Sequence, residues 1–341
     1  MKPSPCALVI GAAGQDGSYL TELLLEQGYK VVGIVRCDPS DEMPNLEHVR
    51  NRIELVKADL ADTEAIVDAL ATYEPSELYN FASVSFGPDA WNDPVRTAEL
   101  GALAIARLLE GIRSTRPALR FFHASSAWVF GRPTEVPQTE RTPYAPVEPY
   151  GAAKAFGDFL IRGYRERHDL YACSGLFYNH ESPRRPARFV TRKITNAAAS
   201  IALGLSDRLV LGDVEAQRDW GFAADYVRAA WLMLQGDEPA DYVIATGQAH
   251  TVRAFAETAF SHVRLDLESH LGLDPELGRA KGQVANLIGD ASAARERLRW
   301  SPTLTFDELV RLMVDADVAA LSDEATTKGD EQSGSRSAQS A

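Results

Sequence analysis

Hydrophobic positions along the chain fall into short unbroken runs, and the stretches between them repeat at helical spacing. The first run lies in "CALVIGAAGQDGSYLTELLLEQGYKVVGIVR". It is followed by a glycine-rich turn, a helix pattern with apolar positions at Leu20, Leu23 and Leu24, a closing Gly28, and a second apolar run. Apolar strand, turn, amphipathic helix and second strand make a βαβ unit. "IELVKADLAD", "ELYNFAS", "LRFFHASSAWVF" and "LYACSGLFYN" supply further strands, separated by helix-like stretches such as 95–112 and 150–167. Strands alternating with helices predict a parallel sheet covered on both faces. From about Asn179 the pattern breaks into proline- and arginine-rich loops, and "DYVRAAWLMLQ" and "DYVIATG" then restore a helix and a strand. The expected division is therefore a dinucleotide-binding domain over residues 1–178, with 219–249 returning to it, and a smaller C-terminal substrate-binding lobe over 179–218 and 250–321. Residues 322–341 are polar, aperiodic and without aromatics, the composition of a disordered tail.

The chain has 341 residues, 45% of them hydrophobic, enough for one large α/β domain or two unequal lobes. Its formal charge of -13 argues against nucleic acid as a partner, because a phosphate backbone attracts basic surfaces. Cys6, Cys37 and Cys173 are scattered and odd in number, so neither a disulfide nor a metal site is expected. No apolar stretch is long enough to span a bilayer, and the start of the chain does not read as a signal peptide, so a soluble cytoplasmic protein without membrane contact is expected.

Gly11, Gly14 and Gly17 form G-x-x-G-x-x-G between the first strand and its helix. Glycines let the backbone approach a pyrophosphate, and the helix N-terminus offers free N–H groups and a favourable dipole. The sheet is then of the Rossmann type. Gln15 and Asp16 in the same turn, and Asp59 and Leu60 after the third strand, complete the expected cofactor contacts. At the end of the second strand stands Arg36, where an acidic residue would bond the adenosine ribose of NAD; an arginine suits the 2′-phosphate of NADP, with NAD remaining open.

Tyr150 and Lys154 in "YGAAK" are four apart and share a helix face, and Ser126 stands at a strand end. A phenol titrates near pH ~10, and an adjacent ammonium lowers that by roughly 1 to 3 units. Tyr150 could then take a proton from a sugar hydroxyl while the carbon gives up hydride. With these residues the chain resembles the extended short-chain dehydrogenase/reductases, and within them the GDP-mannose 4,6-dehydratase family. The segments that carry the resemblance include "GAAGQDGSYLTELLLEQGY", "PYGAAK", "FYNHESPRRPARFVTRKI" and "LGDVEAQRDWGFAADYVRAAWLMLQ". The resemblance implies Ser126, Tyr150 and Lys154 as catalytic residues. It also implies nucleotide-sugar contacts at Asn179, Lys193 and Arg218, with Ser85 near the hexose. Arg184, in a basic run with Arg185, Arg188 and Arg192, suits a diphosphate as well.

The chain departs from the family at one chemical position. The family pattern S-T-S-E-L-Y-G is here "SSAWVFG", so Trp128 stands in place of the catalytic glutamate and lines the sugar pocket instead. Indole has no basic lone pair and cannot remove a proton. The expected activity is therefore transient C4 oxidation of a GDP-sugar followed by epimerisation at C4. The alternatives are a dehydratase whose acid is displaced to Glu135, Glu140 or Glu148, a reductase of a GDP-4-keto-sugar, and a non-enzymatic sugar-nucleotide sensor. The family's R-R-S-S loop is replaced by "RCDPSDEMPN", which makes a homodimer through paired helices the expected assembly and a tetramer the alternative.

Overall fold

A computed structural model describes residues 4–84, 87–278 and 287–338. In chain order the strands are β1 (Cys6–Ile10), β2 (Lys30–Val35), β3 (Glu54–Lys57), β4 (Glu77–Asn80), β5 (Arg120–Ala124), β6 (Ala172–Phe177), β7 (Asn179–Glu181), β8 (Leu209–Leu211), β9 (Gln217–Phe222), β10 (Tyr242–Ile244), β11 (Ala249–Thr251) and β12 (Leu271–Leu273). The helices are α1 (Gln15–Glu26), α2 (Thr63–Tyr73), α3 (Gly87–Asn92), α4 (Pro94–Ala98), α5 (Ala104–Thr115), α6 (Pro149–His168), α7 (Val190–Ala202), α8 (Ala223–Met233), α9 (Val252–His262), α10 (Ser292–Leu298) and α11 (Phe306–Ala338). Among the described residues no helix is long and apolar enough to cross a membrane.

The chain divides into two compact units. The first comprises Met1–His180, Arg218–Ala249 and Val284–Thr303. Its centre is a seven-stranded sheet in the order β10-β6-β5-β4-β1-β2-β3, with all pairs parallel. Period-two alternation assigns each strand's side chains to two cores. Ala7 and Val9 of β1 join the core that contains Leu20 and Leu24 of α1 and Val227, Ala230 and Met233 of α8. Leu8 and Ile10 join the core that contains Ile66 and Leu70 of α2 and Ile105, Leu108 and Leu109 of α5. Phe122 and Phe121 of β5 divide in the same way. The inner strands are buried on both faces, as the continuous apolar runs predict, while the edge strand β3 is exposed or half-buried, and the fold is the expected α/β, doubly wound class.

Because all strands are parallel, their C-terminal ends share one edge of the sheet, where ligands of such sheets bind. That edge carries the glycine-rich turn after β1, Phe81 and Ala82 after β4, Ser125 and Ser126 after β5, and Asn179 after β6.

The second unit comprises Glu181–Gln217, His250–Gln283 and Leu304–Ala341. In it α7 packs against α9 and α11, and β8 pairs in parallel with β12. Two features differ from the sequence reading. Residues 284–303, expected in the smaller lobe, belong to the first unit. There Trp300 is buried against Tyr226 and donates its indole N–H to the Asp225 carbonyl at 2.7 Å, and Gly289 bridges to Gln138. The segment after residue 321, expected to be disordered, continues α11 to Ala338. Leu309, Val310, Met313 and Val314 anchor the helix by burial, and elongation of an established helix fixes few new dihedrals per hydrogen bond gained.

Candidate active site

The cofactor turn is built for close approach. Gly11 has φ +84°, which favours glycine, and a Cβ there would lie 3.2 Å from the Ala82 nitrogen. A Cβ on Gly17 would overlap the Gly11 carbonyl oxygen, so the turn folds tightly onto the first turn of α1. This leaves a side-chain-free cradle at a helix N-terminus, and it fits a dinucleotide pyrophosphate. Arg36 follows β2 directly and is exposed. Gln15 and Asp16, which were read as cofactor contacts, have local partners: the Gln15 amide donates to Asp16 Oδ1 at 3.0 Å and to the His180 carbonyl at 3.2 Å. His180 Nε2 lies 3.1 Å from Asp16 Oδ2, and its ring stacks on Tyr226 at 4.7 Å. Sequence reasoning missed His180, although it stands next to Asn179. The carboxylate of Asp59 receives Arg96 Nη2 at 3.1 Å on each oxygen, and Leu60 is buried in the core. Both are therefore held by the protein itself.

The expected catalytic residues lie at the end of β5 and the start of α6. Ser126 begins a short turn and is buried, its hydroxyl accepting from the Trp128 N–H at 3.4 Å. Pro149 starts α6, where the missing N–H costs nothing, and Tyr150 and Lys154 follow one turn apart. Lys154 is buried; its ammonium donates to the Ala124 carbonyl at 2.5 Å and lies 5.7 Å from the Tyr150 ring centroid. Burial lowers it to about 8, opposed by the charges of Asp158 and Asp16. His123 on β5 is buried, and burial followed by the nearby Lys154 charge holds it well below the usual histidine range, so it is neutral. The structure thus brings Ser126, Tyr150 and Lys154 into one corner of the first unit.

Trp128 is half-buried, and the Arg218 guanidinium lies 5.9 Å from its ring centroid. The Trp128 carbonyl also packs on the head of α6 so closely that a Cβ on Gly151 would overlap it. The three candidate replacement carboxylates differ. Glu135 accepts from the Thr142 hydroxyl, and Glu140 accepts from the Val243 N–H at 2.9 Å, so both hold backbone and loop in place. Glu148 is the residue before α6 and does not cap it; its Oε1 is buried without a hydrogen-bond partner. Burial raises Glu148 to about 7, and the attraction of Arg218 opposes the rise.

Ser85 lies outside the described residues. Asn179 opens β7 and is half-buried. Arg184 and Lys193 belong to the second unit, where Lys193 is exposed and the Arg184 N–H donates to the Ser182 hydroxyl at 3.1 Å. Their neighbours are tied down: Arg185 pairs with Glu181 at 3.2 Å and covers the Phe189 ring, and Arg192 pairs with Asp317.

Among solved structures the chain is similar to UDP-glucose 4-epimerase of Thermotoga maritima with UDP-glucose. The TM-score is 0.82 at 23% identity, over 93% of this chain and 99% of that one, a likeness of fold. It is likewise similar in fold to RMD of Pseudomonas aeruginosa complexed with NADPH, with TM-score 0.74 at 21% identity, over 93% of this chain and 100% of that one. Among curated proteins it is 43% identical to GDP-mannose 4,6 dehydratase 1 of Arabidopsis thaliana, over 93% of this chain and 91% of that protein. It is 40% identical to the human GDP-mannose 4,6 dehydratase, over 93% of this chain and 92% of that protein. The family model described as GDP-mannose 4,6 dehydratase matches residues 8–313, a range that spans the glycine cradle, Ser126, Tyr150, Lys154 and Arg218, so the chain belongs to the GDP-mannose 4,6-dehydratase family.

Proposed function

We propose that the chain oxidises C4 of the hexose of a GDP-sugar with NADP, and that it completes the reaction as a 4,6-dehydratase in which Glu148 performs the proton transfers that Trp128 cannot. The relatives' names point to GDP-mannose as the substrate. One observation carries the reading: beside Arg218 and Trp128, at the head of the helix that bears Tyr150, a carboxyl group titrates near neutrality and has an oxygen without a hydrogen bond. The sequence reading preferred C4 epimerisation on the ground that no second proton-transferring group was evident near Trp128, and Glu148 supplies one.

The glycine cradle would hold the pyrophosphate of NADP and Arg36 its 2′-phosphate, and the cofactor would supply the hydride acceptor for C4 and the hydride donor for C6; Lys154 stands beside Tyr150. Tyr150 takes the O4 proton as the ketone forms, assisted by Ser126 and the Lys154 ammonium. The ketone acidifies the C5 hydrogen, and the Glu148 carboxylate takes that proton. The C6–O bond breaks, and the same proton, given back by the Glu148 carboxylic acid, leaves with the oxygen as water. As hydride is returned to C6, Glu148, reprotonated from solvent while Tyr150 releases the O4 proton to solvent, gives a proton to C5, so protons balance. The product is a 4-keto-6-deoxy sugar nucleotide. Arg218 serves the substrate's anionic half in the same corner.

A second reading, C4 epimerisation, is favoured by Trp128 itself: with an indole where the family has its base, hydride returned to the other face of C4 needs only Tyr150. Mass spectrometry of the product from GDP-mannose decides between them. Loss of water supports the dehydratase, whereas a product of unchanged mass refutes it in favour of the epimerase.

A further inference from the structure

Behind Lys154 the first unit contains a chain of buried polar groups that the reaction above leaves unused. Asp158 lies four residues after Lys154 on α6, on the same helix face, and is fully buried. Its Oδ2 accepts the Ser125 hydroxyl at 2.5 Å and the Tyr144 hydroxyl at 3.2 Å. Its Oδ1 has no hydrogen bond, and neither does the buried Ser174 hydroxyl beside it. The Tyr144 oxygen in turn accepts Arg162 Nη2 at 2.8 Å, and Arg162 pairs with Asp241 at 2.9 Å. A buried carboxylate with one oxygen unpaired is destabilising unless a neighbouring charge offsets it, and an apolar side chain would fill the space without that cost. Lys154, four residues earlier on the same helix face, is the buried cation whose titration the Asp158 charge raises.

We propose that Asp158 is a positioning residue for the hydride apparatus: its carboxylate is the buried counter-charge of Lys154, and its bond to Ser125 ties that charge to the segment carrying Ser126. The proposal rests on the reading that Tyr150 and Lys154 carry out C4 oxidation. The groups facing this pair are Asp16 and the neutral His123 around Lys154, and Asp241, Arg162, Tyr144, Ser125 and Ser174 around Asp158. Burial raises Asp158 to about 6, opposed by the hydrogen bond from Ser125 and by the nearby Ser174 hydroxyl, while burial lowers Lys154 to about 8. Both are therefore charged between these values, and protonation of Asp158 in acid or loss of the Lys154 proton in alkali breaks the pair.

The test is Asp158→Asn in the full chain, read by 13C NMR of the Lys154 Cε resonance, assigned with Lys154→Arg. Removing an opposite charge should move the Lys154 titration down by about one pH unit or more. The alkaline limb of kcat/KM should move with it, a shift that a merely structural role would not produce. Lys154→Met removes the cation and should raise the titration of the Asp158 carboxyl carbon; this variant decides the matter if Asp158→Asn does not fold. An unmoved Lys154 titration in folded Asp158→Asn overturns the inference, as does an unmoved Asp158 titration in folded Lys154→Met. A shifted Lys154 in a protein that turns over no GDP-sugar upholds the pairing and refutes the functional reading instead.

Discussion

Glu148→Gln isolates the proton-transfer step from the hydride step. With Glu148 at about 7, close to half the molecules at neutral pH hold a carboxylate able to take the C5 proton, and the remainder hold the acid able to protonate the leaving oxygen. Glutamine can do neither. Loss of a positioned acid/base costs about 10² to 10⁴ in rate, or roughly 3 to 5 kcal/mol in the barrier. Tyr150 and Lys154 are untouched by the change, so C4 oxidation should survive. The assay mixes GDP-mannose and NADP with each protein and follows nicotinamide absorbance and product mass. Wild type in deuterated water should give a dehydrated product carrying deuterium at C5. Glu148→Gln should accumulate reduced cofactor with little loss of water, and Trp128→Glu added to it should restore dehydration by returning a carboxylate to the family's position. Dehydrated product from Glu148→Gln at the wild-type rate would refute the assignment.

The same carboxyl makes a stability prediction whose sign follows from linkage. Its native titration lies above the unfolded value of 4.5, so the folded state holds its proton more tightly. Stability from this group is fully present below pH 4.5, declines as pH rises from 4.5 to about 7, and stays level above that. Glu148→Gln cannot ionise, so its melting temperature should rise relative to wild type across that window. A difference independent of pH would mean that Glu148 is not held as its burial requires.

Three further outcomes are expected. NADP should bind more tightly than NAD, with Arg36→Ala removing most of the difference; equal affinities in the intact protein would refute the 2′-phosphate assignment. Arg218→Ala should weaken GDP-sugar binding by calorimetry and leave NADP binding unchanged, and unaltered GDP affinity would move the diphosphate site elsewhere. Phe156 and Phe159 are 44% and 58% exposed on α6, an apolar face suited to a second copy of the chain, so Phe159→Glu should convert a dimer to a monomer by light scattering. A wild-type protein that is already monomeric would refute that reading.

The sheet was legible because each of its strands is a local apolar run, and burial on both faces leaves no polar alternation to confuse the pattern. Tyr150 and Lys154 were legible for a similar reason, since their relation is a spacing on one helix. Residues 284–303 were not, because what holds them is the reach from Trp300 to Asp225 and from Gly289 to Gln138, contacts distant in sequence with no periodic signature. Asp158 lay within reach of sequence reasoning: an acid on the buried face of the helix, one turn beyond the lysine. Glu148 could be named as a candidate but not separated from Glu135 and Glu140, because the separation depends on Thr142 and Val243 occupying the other two.

The proposed catalytic carboxylate at position 148, in place of one at position 128, asks little of this fold. The two positions are 20 apart in sequence, yet the Trp128 carbonyl rests on Gly151, three residues beyond Glu148, and Arg218 interacts with both side chains. A residue at either place therefore meets the same guanidinium and the same helix head. What differs is the environment that tunes the acid. At position 148 burial outweighs the guanidinium and holds the group near neutrality, where its two protonation states are equally available. Trp128 packs near the same guanidinium, its ring centroid 5.9 Å from it, and in the proposed reading its bulk helps keep water from the carboxylate. Replacing Trp128 with alanine should therefore lower the pH at which Glu148 titrates and shift the acid limb of dehydration downward. An acid limb that stays in place would show that the indole has no part in tuning it.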